Sequence, residues 1–178
     1  MKKLAVEIKG ISPLLMHAFP MAPIEGLEKM KPEEQAESVA YRVPATGELY
    51  VPGTALQRAL VNAAVFSKGK GRASLQKIAA AVLFVSPEWL GCGTKEYQVD
   101  SRPVVVPATK GRVLRHRPRL DKWGLSFTLE YDETLLSEQQ VRRIVDDTGS
   151  RVGLLDFRPE RKGPFGRFMV TKWQPEQK

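Results

Sequence analysis

A chain of 178 residues with 42% hydrophobic content can bury a core of its own as one domain, with or without a sizeable insertion, which excludes disorder of the whole. Its 28 Lys and Arg against 20 Asp and Glu leave a formal charge of +8, which points to a polyanionic partner unless it serves solubility alone. The one cysteine, Cys92, excludes an internal disulfide and a cysteine zinc site and suits a reducing, cytoplasmic setting.

Met1 to Lys9 alternates polar and apolar residues up to Gly10 and Ser12-Pro13, which predicts a strand ending in a turn and does not resemble a signal peptide. No run approaches membrane-spanning length, so a soluble chain with no membrane partner is expected. Residues 17–48 hold Pro20, Pro23, Gly26, Pro32, Pro44 and Gly47 and predict a long loop insertion, with one helical turn at Pro32–Glu37. Glu25, Glu28, Glu33, Glu34 and Glu37 outnumber Lys29 and Lys31 there, so this segment should lie away from a polyanion or control access to it.

Val51-Pro-Gly-Thr54 ends one element and opens the next, with Thr54 expected to cap a helix over Ala55–Phe66 that buries Leu56, Leu60, Ala63 and Ala64. Lys68, Lys70 and Arg72 follow in a basic loop whose charge is diffuse, since Gly69-Lys70-Gly71 lacks the context of a nucleotide-binding loop. Ile78–Val85 is apolar enough for a central strand or a buried helix, and its β-rich end, Val82 to Val85, favours a strand. Residues 101–122 set seven cations, among them Arg112, Arg115, Arg117 and Arg119, against Asp121 alone, in two extended runs around Lys110-Gly111. A basic hairpin is expected, with Arg115, Arg117 and Arg119 alternating onto one face where they could follow phosphates or simply be solvated. Leu125–Tyr131 alternates as a strand, Ser137 and Gln140 form a capping box before a helix that buries Val141, Ile144 and Val145 and stops at Gly149, and Phe165–Trp173 closes as a strand.

Strand, helix, strand, strand, helix, strand is the ferredoxin-like or RRM-like βαββαβ order. It predicts an α+β fold in which an antiparallel sheet carries two helices on one face and offers the other to a ligand. Residues 1–178 are thus expected to be a single RRM-like domain with the 17–48 insertion and the 101–122 hairpin.

Just before the last strand, Gly153, Gly163 and Gly166 alternate with Phe157, Phe165 and Phe168 and with Arg158, Arg161, Lys162 and Arg167. Glycine lets backbone approach closely, guanidinium pairs with phosphate and phenylalanine stacks on bases, so single-stranded nucleic acid fits the run. An ordinary turn with solvated arginines is the plainer alternative. Of Trp89, Trp123 and Trp173, each able to anchor a core, Trp123 lies in the basic region and is the stacking candidate.

Taken together, Ile11-Ser-Pro-Leu-Leu-Met16, Gly47-Glu-Leu-Tyr-Val-Pro-Gly-Thr-Ala-Leu-Gln-Arg-Ala-Leu60 and Gly163-Pro-Phe-Gly-Arg-Phe168 resemble the RAMP superfamily of CRISPR-associated proteins, in the form of its RRM-like backbone subunits. A stand-alone or mobile-element relative fits equally. The resemblance implies a strand held along its backbone by successive protomers, hence a homo-oligomer or a ribonucleoprotein subunit. It also offers two catalytic candidates: His17, as acid or base for a 2′-hydroxyl attack, and Glu37, at the position of an aspartate in the loop before the Pro-Gly motif. Otherwise His17 reads as a phosphate contact or turn cap, and Glu37 as a surface residue on a helical turn. His17 and His116 are the only histidines, so no metal site and no cofactor are expected. The favoured expectation is a non-enzymatic single-stranded RNA- or DNA-binding protein. A metal-independent endoribonuclease and a scaffold for acidic protein partners are the alternatives.

Overall fold

The structure is a computed structural model, described over residues 1–20, 26–69 and 71–176. Of the residues named above, Pro23, Glu25 and Lys70 lie outside that range. In chain order the elements are β1 (Lys2–Gly10), β2 (Leu14–Leu15), α1 (Pro32–Ser38), β3 (Tyr50–Pro52), α2 (Gly53–Ala63), α3 (Gln76–Val82) and β4 (Leu83–Ser86). They continue with β5 (Trp89–Gly91), β6 (Gln98–Val105), β7 (Arg112–Leu120), β8 (Gly124–Tyr131), α4 (Glu138–Asp147) and β9 (Phe168–Pro175).

The main sheet is antiparallel, in the order β4-β8-β1-β9. With α2 after β1 and α4 after β8, this is the ferredoxin-like order expected from the sequence. Alternation explains its buried face: Leu4, Val6 and Ile8 of β1 and Leu125, Phe127, Leu129 and Tyr131 of β8 point one way, into a core shared with Leu56 and Leu60 of α2 and Val141, Ile144 and Val145 of α4. The opposite face carries the cross-strand pairs Lys3–Glu130 at 3.6 Å and Glu7–Lys172 at 3.0 Å.

Local signals worked unevenly. The capping box at Ser137 and Gln140 is present, both of its hydrogen bonds made. Thr54 does not cap α2: the helix starts at Gly53, Pro52 holds the cap position and no side chain caps it. Gly53 is needed for close packing, since a Cβ there would lie 2.6 Å from the Pro87 carbonyl oxygen. The apolar run 78–85 divides between the end of α3 and β4, and β4 is an edge strand, not a central one. Gly149 does not stop α4. It sits inside a π-helical turn, Thr148–Val152, where a Cβ would collide with the Phe168 carbonyl, and the chain reverses at Gly153, with φ 74°.

Two smaller units flank the main sheet. β6 and β7 form the expected hairpin, longer than the sequence suggested, and β2 joins it to make a three-stranded sheet, β2-β7-β6. The insertion folds onto this hairpin: α1 packs on β7, where buried Gln35 accepts the His116 amide at 2.7 Å and donates to the Leu27 carbonyl at 2.8 Å. β3 and β5 form a two-stranded ribbon with Val51 and Leu90 in the core. Cys92 follows it, half-buried, and burial, aided by Glu48, pushes its thiol up to about 12, well away from thiolate chemistry.

Candidate nucleic-acid interface

The glycine-rich run is a tightly folded loop. After Gly153, the non-glycine residues Leu155 and Phe157 also have positive φ, at 60° and 50°, on either side of Asp156. Left-handed backbone at bulky residues costs about 1 kcal/mol or more each and persists only where surroundings enforce it. Here the enforcers are backbone bonds, Asp156 N–H to the Leu15 carbonyl at 3.1 Å and Phe165 N–H to the Phe157 carbonyl at 3.1 Å. Their effect is to turn the Asp156 carboxylate toward Arg117 and His17.

Arg117 is 5% exposed and donates to Asp156, and His17 Nδ1 lies 3.7 Å from the same carboxylate. Burial pushes the Asp156 carboxyl up, but His17 and the Arg117 guanidinium outweigh it and hold it at about 2, so it is ionised at neutral pH. The aspartate thus ties three segments: the end of β2, the hairpin and the glycine-rich loop.

Beside Asp156 opens a cleft of about 380 Å³, lined by His17 and Tyr41 of the insertion, by Pro52, Thr54, Ala55 and Arg58 at the start of α2, and by Gly153, Leu155 and Arg158 of the loop. The Gly53 N–H donates to the Glu88 carbonyl at 2.6 Å, but no side chain caps α2, so the first-turn amides after Gly53 have no side-chain partner and the helix dipole places partial positive charge there. Thr54 and Arg58, one helical turn apart, share the exposed face of α2. Among the described residues Arg58 has no ion-pair partner, whereas Arg158 is held by Glu160 at 2.6 Å and by the Leu155 carbonyl at 2.8 Å. Arg58, without an ion pair, Arg158, engaged by Glu160, a histidine and a helix start therefore surround one half-buried carboxylate.

The residues singled out in the sequence distribute unevenly around this cleft. Arg115, Arg117 and Arg119 do share a face of β7, but that face turns inward. With Asp100 and Arg102 of β6 it clasps the glycine-rich loop: Arg119 pairs with Asp121 at 2.7 Å and Asp100 at 3.3 Å, and Arg102 pairs with Asp100 at 2.7 Å. Phe165, 6% exposed, is the aromatic centre of this clasp, with the Arg102 and Arg119 guanidiniums 4.7 and 5.5 Å from its ring centroid. Trp123 is 6% exposed, donates from Nε1 to the Ser12 carbonyl at 2.7 Å and packs edge-on against Phe168. Gly163 and Gly166 serve close approach, to the carbonyls of Phe157 and Leu154. Exposed cations remain at Arg112 on the hairpin tip, at Arg161, Lys162 and Arg167 on the loop, and at Lys68 and Arg72.

Glu37 does not line the cleft. It accepts hydrogen bonds from Nε and Nη2 of Arg42 and from the Tyr97 hydroxyl at 2.8 Å, and the Arg42 hydrogen bond holds it below its usual range. With Glu33, Glu34, Ser38 and Tyr97 it lines a separate shallow depression. Among the described residues no three His, Cys, Asp or Glu side chains gather as a metal site, and no helix is long and apolar enough to cross a membrane. Sequence reasoning missed Arg58, Tyr41 and Asp156. Arg58 alone carried a usable signal, four residues after Thr54 and off the Leu56–Leu60 stripe.

These features define an RRM-like α+β protein with a cationic cleft at the start of its first sheet-covering helix. Among solved structures it is similar in fold to a chain of the Type III-B Cmr-beta complex, seen by cryo-EM bound to cognate target RNA. The TM-score is 0.57 at 11% sequence identity, over 97% of this chain and 60% of that one, so this chain spans about three fifths of its neighbour's length. At that identity the likeness is one of fold, and it agrees with the RRM-like α+β fold expected from the sequence. The chain matches no protein-family model and no curated protein.

Proposed function

We propose that this protein binds single-stranded nucleic acid without cleaving it, holding mainly the phosphate backbone and assembling along the strand, as a homo-oligomer or within a ribonucleoprotein. The observation that carries this reading is the cleft, where Arg58, Arg158, His17 and the uncapped start of α2 converge beside a glycine-rich loop. Arg112, Arg161, Lys162, Arg167, Lys68 and Arg72 extend the positive surface. Arg115, Arg117, Arg119, Phe165 and Trp123 act from beneath, by fixing the loop that presents it. The fold neighbour's RNA-bound state supports the same ligand class. Fluorescence anisotropy of labelled single-stranded RNA and DNA tests the reading, with the probe examined afterwards on a denaturing gel. With about five phosphate contacts, affinity should fall by about 100-fold between roughly 50 and 200 mM salt, the probe remaining intact. No binding at low salt overturns the proposal and assigns the basic surface to an acidic protein partner.

The His17–Asp156 pair, set in the same cleft, favours a second reading: RNA cleavage by a 2′-hydroxyl, with the imidazole moving the proton. It requires shortened RNA that persists with chelator and disappears in His17→Ala.

A further inference from the structure

An RRM-like sheet would ordinarily offer its open face to bases, but here, among the described residues, that face presents Glu7, Glu130 and Glu176 along with lysines and threonines, and a single exposed ring, Phe84, at the β4 edge. Rings in mutual contact that reach the surface lie elsewhere, on the β3–β5 ribbon. Tyr41, which lines the cleft, has its ring centroid 5.6 Å from that of Tyr50, and Tyr50 lies 5.5 Å from Trp89. Tyr50 and Pro52 point outward from β3 while Val51 enters the core, and Trp89 faces Pro52 across the ribbon. A row of three rings thus runs from the cationic cleft to the surface.

Trp89 differs from the other two tryptophans. Trp123 is buried with its Nε1 bonded to Ser12, and Trp173 donates to Glu138 at 3.0 Å under the Arg142 guanidinium. Trp89 is 44% exposed and serves no comparable internal role. A large ring left in water at one end of an aromatic row whose other end lines a cationic cleft is an arrangement suited to stacking unpaired bases. Glu88 and Glu48 flank the ribbon, which suits a neutral base there and keeps the phosphates on the cleft side.

We propose that Trp89, Tyr50 and Tyr41 form a stacking ladder for the unpaired bases of a strand whose phosphates occupy the cleft. This rests on the nucleic-acid reading above and adds the element that contacts bases. Its test compares two labelled strands of equal length, oligouridine and an abasic phosphodiester chain, by anisotropy at low salt. The wild-type protein should bind the base-bearing strand about tenfold more tightly. Trp89→Ala should erase that preference while leaving abasic affinity unchanged, which also shows that the variant is folded, and Trp89→Phe should keep most of it. Equal wild-type affinity for both strands, or a preference that survives Trp89→Ala, overturns the ladder and leaves phosphate binding intact. Failure of both strands to bind overturns the ladder together with the reading on which it rests.

Discussion

Asp156 is the residue on which the cleft turns, because it neutralises an arginine that the fold has buried. Asp156→Asn would leave the Arg117 guanidinium without its counter-charge, and a broken pair of this kind, with the aspartate partly exposed, is expected to cost about 2–3 kcal/mol. The effect has a pH signature. A carboxyl held at about 2, below its unfolded value, stabilises the fold fully above pH 4 or so and loses that contribution as pH falls through about 2. The gap in urea midpoint between wild type and Asp156→Asn should therefore be widest at neutral pH and shrink toward pH 2; a constant gap would remove the ion pair as its source. Sequence reading had no access to this residue. Asp156 is one acid among the cations of the loop, and its role depends on Arg117, far away along the chain, and on left-handed backbone at Leu155 and Phe157 that bulky residues do not announce.

At the scale of elements, the signals that held were those complete within a few residues. Ser137 and Gln140 meet inside one turn, and the strand alternation of Leu125–Tyr131 needs only a core on one side. Glycine was less legible, because a close approach depends on a distant partner. Gly149 looks like a helix stop and in fact clears space for the β9 backbone at Phe168. Gly149→Ala should accordingly destabilise the protein more than Ser137→Ala, whose lost cap is expected to cost about 1 kcal/mol. Equal losses in urea titration would mean that the π-helical turn can shift aside. The hairpin gives the same lesson for charge. Alternation correctly placed three arginines on one face, yet which way that face looks was settled by Asp100, Asp121, Asp156 and Phe165, which together make an inward orientation favourable.

At the scale of the molecule, the glycine-rich loop, the hairpin tip, Lys68 and Arg72 carry exposed cations, while the open sheet face carries balanced charge. A backbone-binding protein of this form should load a strand in proportion to its length. Mass measurement on oligonucleotides of increasing length should show one further protomer per fixed increment; a single protomer at every length would exclude assembly along the strand and leave the binding site itself untouched. The exposed apolar side chains Val105 and Leu114 on the hairpin and Phe19 in the insertion would supply such an assembly with apolar surface to bury between neighbours.

What the sequence determined by itself was the βαββαβ order, the insertion, the hairpin and the excess of positive charge, because periodicity, capping and composition are local properties of the chain. Tertiary structure alone decided which cations remain free, that Phe165 and Trp123 are internal, and that Arg58, His17, Asp156 and Arg158 meet in one cleft beside an aromatic row. The physical reason is that an arginine's availability depends on the carboxylate or ring it finds after folding: Asp156 for Arg117 and Phe165 for Arg102 and Arg119 come from distant segments, and even the near pairs Arg102–Asp100 and Arg119–Asp121 depend on how the folded hairpin is set against the loop.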